Sequence, residues 1–139
     1  MRAQAARELL APPEDVWTFV AEPYHLSDWW PGIAGVQPDR RGAAAGARWQ
    51  VTTGNRPSLF RKPRTNDLLL VTAVEPLRRL AFRLNDQRIA AEIVLEPRAG
   101  RRTQATLTVE GPFLLAFRRS LPQKALSRLY ALCQTSADS

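Results

Sequence analysis

The sequence predicts an α+β fold in which an antiparallel sheet of about six or seven strands is covered on one face by a long C-terminal helix. Three observations lead to this prediction. A first strand ends at Pro12 and Pro13, and two brief helical segments follow within Ala11–Ile33. Later segments alternate apolar and polar residues and are separated by short turn-like gaps, which favours antiparallel neighbours. The last long segment, Phe113–Thr135, places its apolar residues at helical spacing.

The N-terminal part is predicted to contain one strand and two short helices. Arg2–Leu10 has no glycine or proline and ends in two leucines, which favours a strand. A helix is expected over Pro13–Ala21, because a proline and two acidic residues suit the first turn of a helix. A second short helix, Tyr24–Trp30, is expected to stop at Pro31-Gly32.

The predicted sheet has one apolar face and one polar face. After the first strand, its expected strands are Ile33–Arg40, Ala47–Thr53, Asp67–Val74, Leu80–Leu84, Ile89–Glu96 and Thr103–Glu110. Their apolar residues recur with period two, so they share one face, and the C-terminal helix is the element that can cover it. Pro122 is expected to break that helix near Ser120–Leu121, because proline removes a backbone donor.

The length of 139 residues fits one domain, 1–139, which is large enough to bury a core without disulfides. The single cysteine, Cys133, excludes an internal disulfide and suits a reducing compartment, so the cytoplasm is the expected location. The N-terminus lacks the apolar stretch of a signal peptide, and no run approaches the ~18–20 apolar residues of a membrane helix. We therefore expect no transmembrane segment.

Three stretches of the sequence resemble a known superfamily. Ala11–Trp17, Asp28–Ile33 and Val71–Arg83 are similar to the START/Bet v 1-like (SRPBCC) superfamily, in particular to its bacterial members of the polyketide cyclase/dehydrase and lipid transport type. The resemblance extends from about Ala3 to Cys133. It implies a helix-grip fold, in which a curved sheet wraps around the last helix and leaves a cavity between them. Cyclases, lipid and hormone carriers and co-chaperone domains share this fold, so the resemblance does not specify a reaction.

The inner face of the sheet, the facing side of the last helix and the tryptophans supply the candidate ligand-binding residues. They are Trp17, Trp29, Trp49, Phe82, Leu84, Ile93, Leu107, Val109, Leu126, Leu129, Tyr130 and Cys133. The alternative is a solid core, since such side chains also fill protein interiors. The in-facing polar candidates are few, and this favours an apolar or aromatic guest over a charged one. These polar candidates are Thr53, Thr72, Thr103 and Tyr130.

Trp29 and Trp30 are adjacent in the predicted second helix. Neighbouring residues on a helix point in different directions, so the two side chains are not expected to face the core together. One of them is expected to mark the mouth of the cavity or a contact surface.

His25 and Tyr130 are the candidate catalytic residues. His25 is the only histidine, and histidine is the residue used most often in general acid–base catalysis. A surface or structural role is the alternative for a histidine close to a helix end. The sequence contains no ligand spacing for a metal and no cofactor motif, so neither a metal nor a cofactor is expected.

The net charge of +7 is concentrated between Arg40 and Asn66, where seven basic residues occur without an Asp or Glu. Such a segment suits an anionic lipid surface or an acidic partner, and a solvated charged face is the alternative. Nucleic acid is not favoured, because Phe60 is the only aromatic residue among the later basic residues. The candidate contact residues in this part are Arg56, Arg61, Lys62 and Arg64.

Three functions are consistent with these features. The preferred one is a carrier or sequestering protein for a hydrophobic or aromatic small molecule, bound between the sheet and the C-terminal helix. The alternative is a polyketide aromatase/cyclase-type enzyme, and the second alternative is an interaction module that uses the basic loops of residues 40–64. The sequence leaves the oligomeric state open.

Overall fold

The computed structural model describes residues 2–53, 65–112 and 119–138. Within these ranges the chain forms seven strands and three α-helices, with one 3-10 helix, Pro23–His25. The strands are β1 (Arg2–Leu9), β2 (Ile33–Gln37), β3 (Arg48–Thr53), β4 (Thr65–Glu75), β5 (Arg79–Leu84), β6 (Ile89–Arg98) and β7 (Arg102–Glu110). The helices are α1 (Pro13–Ala21), α2 (Leu26–Trp29) and α3 (Leu121–Asp138).

All seven strands form one antiparallel sheet in the order β1-β7-β6-β5-β4-β3-β2. Strands β2 to β7 neighbour one another in chain order, as expected for strands joined by hairpins. The first strand lies beside the last, with Arg2 opposite Glu110 and Leu9 opposite Thr103. Strands β1 and β2 are therefore the two edges of the sheet.

The first helix occupies the predicted residues, and the second differs in detail. Pro12 has an extended backbone, with φ −70° and ψ 160°, and α1 begins at Pro13. The expected helix over Tyr24–Trp30 is instead a 3-10 turn followed by the four residues of α2. The Glu22 carboxylate accepts a hydrogen bond from the Tyr24 backbone N–H at 3.4 Å, which caps the 3-10 turn.

Strand β2 ends at Gln37, three residues before the predicted end at Arg40. Pro38 follows and cannot donate to a ladder. The Asp39 carboxylate then accepts hydrogen bonds from the backbone N–H groups of Arg41 and Arg48, each at 2.9 Å. The backbone donors of this segment are thereby used in a loop instead of a strand.

Helix α3 covers the apolar face of the sheet, packing against β1 and β7 and also against α1 and α2. It begins at Leu121, where the break was predicted, while residues 113–118 of the predicted helix lie outside the described ranges. Leu126 and Leu129 of α3 are almost completely buried. A curved antiparallel sheet around a C-terminal helix is the predicted helix-grip fold, and this prediction is confirmed.

Candidate functional site

The candidate site is the inner face of the sheet, which we define as the face covered by α3. Register places Phe82 opposite Ala91 and Ala91 opposite Val109, and likewise places Ile93 opposite Leu107. These inner-face side chains and Leu84 are at most 4% exposed. The candidate ligand-binding residues of β5, β6 and β7 are therefore on one face of the sheet, as the period-two pattern indicated.

The predicted residues of α3 divide into two groups. Leu126, Leu129 and Cys133 are buried toward the core. Tyr130 is half-buried, and the guanidinium of Arg7 lies over its ring at 4.1 Å from the centroid. Arg7 is opposite the buried Ala105, so Tyr130 meets the inner face at the β1 edge of the sheet.

Two of the predicted tryptophans differ in burial. Trp17 of α1 is half-buried against the core, whereas Trp49 of β3 is 1% exposed. The indole Nε1 of Trp49 donates to the backbone carbonyl of Gly42 at 2.8 Å. This bond satisfies the polar atom of Trp49 and ties the β2–β3 loop to the core.

Trp29 and Trp30 are both buried, so the expectation that one of them marks a cavity mouth or a contact surface was wrong. Trp30 follows the last residue of α2 and has extended backbone angles, φ −90° and ψ 117°. Its side chain is therefore released from helical geometry and points into the core beside Trp29. The two rings meet edge to face with centroids 5.8 Å apart, and Trp30 meets Phe82 at 5.1 Å.

The indole Nε1 of Trp29 is a buried donor without a hydrogen-bond acceptor among the described residues. Trp29 itself is 0% exposed. Native proteins pair nearly all such donors, because an unpaired buried polar group costs about 1–3 kcal/mol. Trp29 therefore presents a donor within an apolar region.

The predicted in-facing polar residues lie in different environments. Thr103 is completely buried, and its hydroxyl donates to the Ala11 carbonyl at 2.8 Å. Thr53 is half-buried, while Thr72 is exposed and does not face inward. Val71 pairs with Phe82 on the inner face, so Thr72, the next residue of β4, lies on the opposite face. The irregular register between Val71 and Ala73 then turns Val74 inward, opposite Leu80.

Asp67 is a buried acidic residue that the sequence did not single out. Its side chain accepts hydrogen bonds from the backbone N–H groups of Leu68 and Asp86, both at 2.7 Å, and of Gln87 at 3.4 Å. The carboxylate thus holds the β5–β6 turn against the start of β4. The polar turn of residues 85–87 was visible in the sequence, but its partner was not.

A family model described as polyketide cyclase / dehydrase and lipid transport matches residues 1–133. The chain belongs to this family. The predicted resemblance is thereby confirmed. The chain has a fold that other members of the family use to bind ligands. Membership of the family specifies neither a ligand nor a reaction.

Solved structures of proteins with low sequence identity share the fold of this family member. An AHSA1-like protein from Aeromonas hydrophila has a TM-score of 0.76 at 16% identity, over 100% of this chain and 96% of that one. The protein XoxI from Bacillus cereus has a TM-score of 0.73 at 11% identity, over 98% and 97%. A protein from Chromobacterium violaceum has a TM-score of 0.71 at 20% identity, over 95% and 96%. These identities support the fold alone.

No protein with a curated description matches the sequence of this family member.

The two candidate catalytic residues of this polyketide cyclase-like protein lie on separate elements. His25 ends the 3-10 helix, and its Nδ1 lies 2.9 Å from an Asp28 carboxylate oxygen. Both side chains are well exposed, at 39% and 48%, and Phe19 contacts the imidazole edge to face at 5.3 Å. Tyr130 instead faces Arg7. A catalytic role for either residue stays a prediction.

The described residues of this family member include no group of three or more His, Cys, Asp or Glu side chains arranged to hold a metal ion. In the same ranges, no helix is both long and apolar enough to cross a membrane.

The basic segment is divided by β3. Arg40, Arg41 and Arg48 lie before or at the start of this strand, and residues 54–64 follow its end at Thr53. The candidate contact residues Arg56, Arg61, Lys62 and Arg64 lie outside the described ranges. A six-residue strand spans about 20 Å, so Arg48 and Thr53 lie at opposite ends of β3.

Proposed function

We propose that this protein binds a hydrophobic or aromatic small molecule between the inner face of the sheet and α3, as a carrier or sequestering protein. The guest has an apolar body and at least one oxygen that accepts a hydrogen bond from Trp29. The predicted ligand-binding residues, from Trp17 on α1 to Cys133 on α3, supply its surroundings.

The unpaired Trp29 N–H is the observation that carries this proposal. Trp29 is 0% exposed, and its Nε1 has no acceptor among the described residues. A carbonyl, ether or hydroxyl oxygen of a guest would accept this hydrogen bond. Pairing the donor would remove a cost of about 1–3 kcal/mol, so the guest gains affinity from a group that the protein leaves unpaired.

The neighbouring polar groups favour a guest with few polar atoms. Thr103 and Trp49 already donate to the carbonyls of Ala11 and Gly42. The remaining inner-face side chains of β5, β6 and β7 are aliphatic or aromatic. A guest with several charges would lose hydration without finding partners here. The family description includes lipid transport, and a lipid is a largely apolar molecule of this kind.

Fluorene and fluorenone form a matched pair of probes that differ by one carbonyl oxygen. Affinity is measured by tryptophan fluorescence, and the indole N–H resonances are followed by two-dimensional NMR. We expect fluorenone to bind about tenfold more tightly than fluorene, because only fluorenone accepts a hydrogen bond. The Trp29 indole resonance should shift most on binding of fluorenone.

Trp29→Phe keeps an aromatic ring but removes the N–H, so the two probes should then bind equally. Trp49→Phe is the matched control, since the Trp49 N–H already donates to Gly42 and its loss should leave the preference unchanged. Absence of binding by both probes and by fatty acids and sterols would overturn the proposal. Binding of both probes without any shift at Trp29 would remove Trp29 from the site.

A further inference from the structure

The outer face of the sheet, which is turned away from α3, carries a row of residues that crosses six strands. Cross-strand pairing links each member of the row to the next. In order from β3 to β1 the members are Arg48, Leu70, Arg83, Ala90, Glu110 and Arg2. Neighbouring strands are about 4.8 Å apart, so the row extends about 24 Å across the sheet.

Two of the depressions at this row are each lined by three arginines and one acidic residue, while another contains Arg2 and Arg83 together with Glu92 and Glu110. The first, of about 570 Å³, contains Arg40, Arg41, Arg48 and Asp39. The second, of about 440 Å³, contains Arg2, Arg83, Arg88 and Glu110. Each group of four side chains therefore has a net charge of +2. Leu70 lines the first depression and stands in the row between Arg48 and Arg83.

Most of these arginines are unpaired. Within the described residues, Arg40, Arg48, Arg83 and Arg88 form no ion pair, and Arg2 lies 3.8 Å from Glu110 with both side chains mostly exposed. The Asp39 carboxylate is held by the backbone N–H groups of Arg48 and Arg41, and the Arg48 bond is the main cause that lowers its pKa. It therefore fixes the loop, and the positive charge of Arg41 contributes less to lowering its pKa than the Arg48 bond does.

We propose that this outer face docks on an anionic lipid bilayer. The guanidinium groups are spread over a broad face instead of converging on one phosphate, which matches the many headgroups of a bilayer. Basic residues near an anionic bilayer are attracted by its negative surface potential, and the half-buried Leu70 offers an apolar contact between two of them. The site is separate from the inner face, so the proposal goes beyond ligand binding.

The chemistry of the face favours a bilayer over nucleic acid. The outward-facing residues of β3 to β7 include no aromatic side chain on which a base could stack. Ala81 and Ala90 lie beside Arg83 on this face, and Glu92 lies opposite Ala81. A single-stranded nucleic acid would therefore contact arginines on this face but no aromatic ring on which its bases could stack.

Flotation with vesicles tests the proposal. Vesicles of 70% phosphatidylcholine and 30% phosphatidylglycerol, chosen as a moderately anionic surface, are compared with pure phosphatidylcholine at about 0.05 M and 0.3 M salt. We expect the protein to float with the anionic vesicles at low salt, to bind about tenfold less at high salt, and not to float with the neutral vesicles. Absence of flotation with the anionic vesicles would overturn the proposal.

Arg48→Glu combined with Arg83→Glu should reduce flotation at least tenfold. The control combines Arg101→Glu with Arg128→Glu, two exposed arginines in the β6–β7 turn and on α3, and changes the net charge equally. Equal losses in both double variants would assign binding to net charge and contradict the proposal.

A further pair covers the case in which the first double variant does not fold. Arg40→Glu with Arg88→Glu lies outside the pairing positions of the sheet and should also lose flotation. Leu70→Gln should weaken flotation without changing the charge. Tighter binding of a single-stranded or duplex oligonucleotide than of the anionic vesicles, with loss in the Arg48/Arg83 variant, would assign the face to nucleic acid and overturn the lipid proposal.

Discussion

Trp30 and Phe82 meet edge to face, with ring centroids 5.1 Å apart and ring planes at 70°. Trp30 directly follows α2, and Phe82 lies on β5, one of the inner strands of the sheet. Both side chains are 1% exposed. The contact therefore anchors the two short helical segments on the inner face.

A double-mutant cycle should measure this anchor. Trp30→Leu and Phe82→Leu should each destabilise the protein, and the pair should show a coupling free energy of about 0.5–1.5 kcal/mol, because edge-to-face rings interact beyond their buried area. Urea unfolding supplies the free energies. Tyr24→Leu with Phe82→Leu is the additive control, since Tyr24 is 61% exposed. A Trp30/Phe82 coupling near zero would contradict this prediction.

The strands with mainly period-two alternation were predictable, and their inner faces are correct. Phe82 and Ile93 lie in such strands, where polar neighbours fix which face is apolar. Strand β4 contains the run Leu68-Leu69-Leu70-Val71, which is apolar on both faces. The sequence therefore does not show which of these residues face the core. The error at Thr72 follows from that run.

The site details that were missed depend on contacts between distant parts of the chain. Trp29 and Trp30 share the core because the backbone leaves the helix between them, which composition cannot reveal. The buried carboxylate of Asp67 accepts hydrogen bonds from the backbone N–H groups of Asp86 and Gln87, which lie about twenty residues away in the β5–β6 turn. The position of Arg7 over Tyr130 requires the pairing of β1 with β7 and the placement of α3. The local sequence around these residues does not indicate any of these contacts.

Asp67→Ala should destabilise the protein by about 1–3 kcal/mol, because the N–H groups of Leu68 and Asp86 lose their acceptor in a buried place. Asp67→Asn keeps one acceptor oxygen and should cost less. Asp86→Ala removes an exposed carboxylate of the same turn and is the control. The measurement is the urea midpoint, and equal midpoints for Asp67→Ala and Asp86→Ala would refute the capping role.

Arg7→Met should destabilise the protein by about 1 kcal/mol, because it removes the guanidinium that lies 4.1 Å from the Tyr130 ring centroid. Part of the loss comes from the bond that Arg7 donates to the Ser127 hydroxyl at 3.1 Å, so Ser127→Ala separates the two contributions. Tyr130→Phe keeps the ring and should leave the thermal midpoint nearly unchanged. A loss with Tyr130→Phe as large as with Arg7→Met would show that the hydroxyl, and not the ring, carries the contact.

Between pH 7 and alkaline pH, the free energy of unfolding should fall more for the protein with Cys133 than for a Cys133→Ala variant. Burial, and secondarily the negative charge of Asp15, raise the pKa of the thiol from its ordinary 9.0 to about 11. The unfolded chain therefore ionises first, so the stabilisation from the neutral thiol is complete below about pH 9 and is lost as the pH rises toward about 11. Urea midpoints of both proteins at pH 7, 9 and 10.5 measure the difference, in which the titration of other residues cancels. Identical alkaline slopes, or fast alkylation of native Cys133 at about pH 8, would show that the thiol is not held in an apolar environment.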